Sequence, residues 1–284
     1  MEKKKRTRFL LIAGILMVLT LVGAFLVPKS EHHESIGETM NDAVLHETNK
    51  ISLFGLKDIN PSLASGFVVT AIILVFALIL RIFVIPKFSY VPGKLQMLLE
   101  EWVGFFDRLA KGSSPERNYF LGAYIFAAGT YIFVGTCFEL LGIQLSTTEG
   151  YTITLPAPLA DINGAICMGC LSYLIILSGG IMGNGVGGVG KTLKEFSLPV
   201  SMSFRIFGAL LSGMLVTELV YYYLTLSFVL PVFVGILFTL MHALIQAYVL
   251  TMLTAMFYGE VSEKPHKKEK KVKKPNQTEV EVKA

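Results

Sequence analysis

The sequence carries little charge for its length, and that shortage excludes most soluble classes of protein. Only 16% of its 284 residues are charged and 53% are hydrophobic, whereas about 25% of the residues in a soluble domain are charged. The lysines and arginines cluster at the two ends and within residues 81–117. Long, almost uncharged stretches separate these clusters, which is typical of a protein with several membrane-spanning helices. The net charge of +4 therefore does not indicate a nucleic-acid partner.

Cysteine is also scarce, and the three present are Cys137, Cys167 and Cys170. All three lie in apolar stretches, so the sequence implies neither a disulfide scaffold nor a secreted class. Cys167 and Cys170 form a C-x-x-C pair, which would supply two of the four ligands of a metal site, but the sequence has no second pair. We interpret them as small residues for helix packing, and we expect no metal and no cofactor.

Six apolar stretches are long enough to be considered as spans, which predicts an all-α membrane protein with five to six transmembrane helices. They cover residues 9–27, 66–85, 119–143, 159–182, 198–228 and 231–258. The first follows a basic segment and is either a cleaved signal peptide or a retained helix. A helix perpendicular to the membrane needs about 20 residues to cross it, and the last two stretches are longer, which permits strong tilt.

The chain divides into three segments on this pattern. Residues 1–65 contain a basic start, an apolar helix or signal anchor, and a polar loop expected outside the membrane. Residues 66–258 form the helical membrane domain. Residues 259–284 are lysine-rich with no apolar core, so we expect a disordered tail on the cytoplasmic side.

An amphipathic helix is predicted after the second span. Its apolar residues recur at helical spacing on one face: Leu95, Leu98, Leu99, Trp102, Phe105 and Phe106. Such a helix is expected to lie in the inner membrane interface.

Arg205 lies deep within the fifth apolar stretch. A guanidinium stays ionised in proteins, and placing one at the centre of a membrane helix costs roughly 2.5–3.5 kcal/mol on insertion scales. Arg205 is therefore expected to face a polar cavity or an anionic partner. The alternative is a side chain that snorkels from a helix end to the headgroups.

Other polar residues mark the ends of the spans. Asp161 and Asn163 are natural helix-start residues, with water access at a channel mouth as an added hypothesis. Glu139, near the outer end of the third span, is either an ion-path residue or a carboxylate at the aqueous boundary.

Residues 185–192 match the nucleotide-binding pattern G-x-x-x-x-G-K-[ST] letter for letter. That pattern binds phosphate only between a strand and a helix, and membrane spans flank this copy. We predict a flexible inner loop, with Lys191 and Lys194 following the positive-inside rule. Glu195 either lines an inner ion exit or is a solvated loop charge.

Four motifs resemble subunit a of the F-type ATP synthase. The first is Ser-Met-Ser-Phe-Arg-Ile-Phe-Gly at 201–208, preceded by Pro199, which is similar to the arginine-bearing signature of that family. Val-Pro-Gly-Lys-Leu-Gln at 91–96, Ala-Asp-Ile-Asn at 160–163 and Ile-Gln-Ala-Tyr at 245–248 occur in the order that the family shows.

Three positions depart from the family pattern. Ala209 stands where the family has asparagine, and Glu139 replaces another asparagine. Met214 occupies a position that often carries glutamate or histidine. Glu218, one turn later, and His242, one turn before Gln246, are our candidates for a shifted pair lining the outer half-channel.

The resemblance implies a stator subunit that carries H⁺ or Na⁺ through two half-channels to and from a carboxylate on the c-ring. Arg205 would separate the half-channels and Gln246 would act near it, while the last two helices would form a hairpin against the c-ring. The implied partners are the c-ring, peripheral-stalk subunit b and the bilayer of a bacterial plasma membrane. The ATP chemistry would belong to other subunits. A secondary transporter or channel without a rotor, and a non-translocating scaffold, are the alternatives.

Overall fold

Apolar helices dominate the fold. A computed structural model describes residues 51–53, 56–116, 118–146, 152–222 and 230–263, with isolated positions between 11 and 37. Within these ranges, five helices are long and apolar enough to cross a membrane: Pro61–Lys87, Asn118–Leu141, Ile162–Asn184, Ser197–Thr217 and Gly235–Ser262. The prediction of an all-α membrane protein is confirmed. The predicted span at 9–27, apart from isolated positions, and the tail beyond residue 263 lie outside the described residues.

Seven helices and four short strands follow one another in the described ranges. They are β1 (Ile51–Leu53), β2 (Leu56–Ile59), α1 (Pro61–Ile79), α2 (Lys94–Ser113), α3 (Asn118–Phe138), β3 (Gln144–Ser146), β4 (Thr152–Thr154), α4 (Ile162–Asn184), α5 (Val186–Lys194), α6 (Ser197–Tyr222) and α7 (Leu230–Ser262). The lengths of α6 and α7, 26 and 33 residues, confirm that the last two helices are long.

Side-chain caps start two of the spans. The Asn60 side chain accepts a hydrogen bond from Ser62 N at 2.9 Å, and Pro61 occupies the first helical position of α1, where a missing N–H costs nothing. Asp161 caps α4 in the same way by accepting from Asn163 N at 3.2 Å. Asn60 Nδ2 also donates to Asp161 Oδ1 at 3.2 Å, so the starts of α1 and α4 are tied together.

The helix α7 is the centre of the bundle. It contacts α3, α4 and α6 along its length, with α2 and α5 beside it. Glycines allow close approach at two of these contacts: Gly129 of α3 faces Phe106 and Thr251, and Gly179 of α4 faces the ring of Tyr258. In contrast, α1 packs chiefly on α3 and exposes most of its length.

The amphipathic helix predicted after the second span is present as α2, and only its second half packs on the bundle. Phe106 is buried, and Trp102 Nε1 donates to Thr130 Oγ1 of α3 at 3.2 Å. Leu95 and Leu98, at the start of the same apolar face, are 55% and 70% exposed. This face therefore continues beyond the protein contact, as an interfacial helix requires.

The expectation of a flexible loop at 185–192 is wrong, because Val186–Lys194 forms the helix α5. Gly185 reverses the chain with φ +56, a backbone region that glycine adopts readily. A Cβ on Gly180 would lie 3.0 Å from Gly188 O, so α5 folds back directly onto α4. The Gly-Lys-Thr sequence at 190–192 lies inside α5, and the preceding element is the helix α4, so the strand–loop–helix context of a nucleotide site is not present here.

Two further expectations need correction. Cys167 and Cys170 are exposed on α4, so they do not pack against another described helix of this chain. The polar loop expected within residues 1–65 contains the antiparallel pair of β1 with β2, and β3 pairs with β4 in the same way between α3 and α4. Both pairs are too short to show clear alternation of polar and apolar residues.

We predict that Gly179→Ala destabilises the fold by about 1–3 kcal/mol, because an added methyl group overpacks the contact. A Cβ at this position would lie 2.8 Å from Tyr258 Cζ and closer to other ring atoms. The measurement is thermal unfolding in detergent. Gly190→Ala is the matched control, since a Cβ there meets nothing within 4 Å. Equal unfolding midpoints for the two variants would contradict the packing argument.

Candidate functional site

The helix α6 has one face in the bundle and one face outside it. Leu198, Met202, Ile206 and Leu210 recur every four residues and are all buried. The opposite face is exposed and carries Ser201, Phe204, Arg205, Gly208 and Ser212. Three of these five residues are small, so the backbone of α6 is open to close approach from outside.

Arg205 lies on this outward face. Its side chain is exposed, and it makes no hydrogen bond or ion pair with another residue in the part of the chain that the structure describes. A Cβ added to Gly208, almost one turn further along, would meet nothing within 4 Å. The guanidinium therefore projects from an apolar helix toward a space that the described residues leave open.

Gln246 on α7 is buried, in contrast to the exposed Arg205. It is only 6% exposed, and its Oε1 is buried without a hydrogen-bond donor among the described residues. A buried carbonyl oxygen without a donor costs about 1–3 kcal/mol. Packing alone would favour an apolar side chain of similar size, so the amide is not explained by stability.

His242 contacts α6 at Gly213. A Cβ on Gly213 would lie 3.2 Å from His242 Nδ1, and the imidazole ring is tilted against Phe238 with centroids 5.9 Å apart. Gly213 immediately precedes Met214, the position at which the resemblance expects an acidic or imidazole group. The half-buried imidazole therefore reaches that region of α6 from the neighbouring helix.

The axial positions of these residues follow from the helix rise of about 1.5 Å per residue. The contacting helices α6 and α7 are joined through residues 223–229, and such a short connection makes neighbouring helices antiparallel. Arg205 lies about 12 Å along α6 from Gly213, and Gln246 lies about 6 Å along α7 from His242. Arg205 and Gln246 thus differ in depth by about one helical turn.

The remaining candidate residues lie at helix ends. Asp161 and the exposed Asn163 start α4. Half-buried Glu139 begins the 3₁₀ turn that ends α3. Exposed Glu195 follows α5. Glu218 lies on α6, and its side chain lies outside what the structure describes.

One buried polar contact was not singled out from the sequence. The Tyr124 hydroxyl of α3 lies 2.7 Å from Ser172 Oγ of α4, and Ser172 is fully buried. Both side chains are uncharged, so neither residue stands out within its apolar stretch of sequence. No group of three or more His, Cys, Asp or Glu residues could hold a metal ion in the described ranges.

Comparison with known proteins assigns these helices to a family. The family model described as ATP synthase A chain matches residues 64–259. Two curated relatives, each an ATP synthase subunit a from a strain of Cereibacter sphaeroides, are 24% identical over 245 residues, covering 82% of this chain and 90% of the relative. This multi-pass membrane chain therefore belongs to the ATP synthase A chain family, whose members are subunit a of the F-type ATP synthase.

Proposed function

We propose that this chain, as the stator subunit a, carries H⁺ or Na⁺ to and from a carboxylate on each passing c-subunit. The ion would enter from one side of the membrane through one half-channel and leave to the other side through a second. Arg205 would stand between the two half-channels. The resemblance of the arginine motif and the family match at 64–259 support this proposal.

The outward position of Arg205 is the observation that carries the proposal. Leaving the guanidinium among acyl chains would cost roughly 2.5–3.5 kcal/mol, and the described part of the chain offers it no carboxylate. We propose that the partner comes from another subunit and brings an anionic group to the membrane interior. A ring of c-subunits with one carboxylate each meets that requirement.

Permanent ionisation suits Arg205 to this role. A nearby positive charge favours the ionised form of a carboxylate, so each c-subunit would release its ion on approaching Arg205. The same charge repels a cation that could otherwise leak directly between the half-channels. Lysine would be a poor replacement, because a buried ammonium group loses its proton much more readily than a guanidinium.

Polar groups on α6 and α7 suggest the outer half-channel. The contact of His242 with Gly213 brings a titratable group to the α6–α7 interface, and Gln246 adds a buried amide one turn closer to Arg205. We propose that Glu218 and His242 line this path, with Glu139, Asp161 and Asn163 near its mouth. Glu195, exposed after α5, would lie at the inner exit.

The partners and the location of the chain follow from the same proposal. The partners are the c-ring, peripheral-stalk subunit b and the lipid bilayer of a bacterial plasma membrane, with the C-terminus in the cytoplasm. The chain would need no cofactor, and ATP chemistry would take place on other subunits. A secondary transporter would instead place its charged residues inside the bundle, whereas Arg205 lies outside it.

We predict that Arg205→Ala and Arg205→Lys abolish ATP-driven ion pumping in inverted membrane vesicles of the assembled enzyme. Either change removes the permanent charge that would separate the half-channels. The matched control is Arg81→Ala, because Arg81 is also exposed but follows α1, far from α6 in the chain. Normal pumping by Arg205→Ala in an assembled complex would refute the proposal.

We predict that Gln246→Leu retains the unfolding midpoint but slows coupled ion transport about tenfold. Replacing a buried unsatisfied amide by an apolar group of similar size is near neutral for stability. If the lost polar interaction raises the activation free energy by about 1.4 kcal/mol, transport becomes about tenfold slower. Met252→Leu, an exposed change on α7, is the control. Full transport by Gln246→Leu would show that the amide has no part in the path.

We predict that His242→Ala and Glu218→Ala each reduce ion pumping while the complex still assembles. Either change removes a titratable group from the proposed outer half-channel. Met241→Ala, on the exposed side of α7, serves as the control for loss of side-chain volume. If both variants pump at the rate of the unchanged enzyme, the two residues do not form the outer path.

A further inference from the structure

The outward side of α4 carries two thiols in a fixed position. Cys167 and Cys170 are both free and exposed. Gly169 and Ser172 lie on the buried side of the same two turns. A Cβ added to Gly169 would lie 2.8 Å from Pro199 O of α6, so this part of α4 packs directly on its neighbour. The close contact fixes the rotation of α4 and keeps both thiols on its outward side.

The spacing of the two thiols suits a bridge of one atom better than a disulfide. Side chains three residues apart on a helix are neighbours, with Cβ atoms about 5–6 Å apart. A disulfide needs a Cβ–Cβ distance of about 3.5–4.5 Å, so a direct S–S bond would distort α4. One soft atom between the sulfurs, with bonds of about 2.3 Å as in zinc thiolates, spans a sulfur–sulfur distance of roughly 3–4 Å. An undistorted helix can therefore hold such a bridge.

The surroundings of the two thiols decide which ligand they can hold. A structural zinc ion needs four protein ligands, and the described ranges contain no group of three or more His, Cys, Asp or Glu residues that could bind a metal ion. Ile166, Leu171 and Leu174 are 45%, 45% and 56% exposed on the same side of α4, so the surface around the thiols is apolar. A hydrated dication would lose its water there at a high cost. The ligand should therefore be uncharged, partly apolar and satisfied by two sulfurs.

We propose that Cys167 and Cys170 form a dithiol site for trivalent organoarsenic compounds. Trivalent arsenic that carries one aryl group has two further bonds to make, one for each thiol. When an aryl arsenous acid binds, two S–H bonds and two As–OH bonds break, two As–S bonds form and two water molecules leave. Arsenic stays trivalent, so the step needs no oxidant or reductant. The product is uncharged, and its aryl ring would lie on the exposed apolar side chains of α4. This inference rests on the fold and is independent of the proposed ion path.

The test measures how the full chain in mild detergent retains phenylarsine oxide, which hydrates to the arsenous acid. Intact-protein mass spectrometry counts the phenylarsenic groups on each chain. We expect one group, which stays bound in an excess of the monothiol 2-mercaptoethanol and leaves in 2,3-dimercaptopropanol. A ligand held by two sulfurs of one chain resists a monothiol, because each broken bond re-forms within the site. A competing dithiol removes this advantage.

Two variants and one control make the test specific. Cys167→Ser and Cys170→Ser each leave a single thiol on this side of α4 and should bind at least about a hundredfold more weakly. Cys137→Ser, at a half-buried position of α3, should bind like the unaltered chain.

A second measurement needs no substitution. In the unaltered chain, phenylarsine oxide should protect Cys167 and Cys170 from labelling by a maleimide and leave the reactivity of Cys137 unchanged, as located by peptide mass spectrometry. The proposal is wrong if the unaltered chain retains no adduct in the monothiol, if either single variant retains as much as the unaltered chain, or if only one of the two thiols is protected.

Discussion

A charge that cannot be neutralised, placed on the outer surface of a membrane helix, is the constraint on which the rest of the structure depends. The exposed guanidinium of Arg205 is costly in lipid, which is why we propose an anionic neighbour at this surface. The buried face of α6, at Leu198, Met202, Ile206 and Leu210, fixes the direction in which Arg205 points. The packing of the bundle thereby determines where the proposed partner would bind.

The bundle meets this constraint by concentrating its contacts on α7. That helix packs against α3 and α4, and it supports α6 together with α4. Gly129 and Gly179 let the helices approach closely, which is how membrane helices associate without a hydrophobic driving force between them. Among the described residues this support lies on one side of α6, and the opposite side is exposed, as the proposed rotor contact requires.

Much of the fold could be predicted because apolar length identifies membrane helices well. The last five of the six predicted spans and the amphipathic α2 were confirmed, and Asp161 caps α4 as its residue type suggests. The helix at Val186–Lys194 could not be predicted, because its three glycines favour a loop and its tertiary contacts with Gly180 and Tyr173 are not visible in the sequence. The outward direction of Arg205 also depends on tertiary packing, which a motif does not reveal. The roles of Gln246, Glu218 and His242 stay predictions.

The contact between α2 and α3 gives the protein a natural optical probe. Trp102 is the one tryptophan in the chain, and its indole is hydrogen-bonded to Thr130 and packed against Phe106 and Phe133, with centroids 5.5 and 5.2 Å away. Its emission spectrum and quenching thus report on a single interhelical junction. Detachment of the amphipathic segment from the bundle can be followed by fluorescence without attaching a dye.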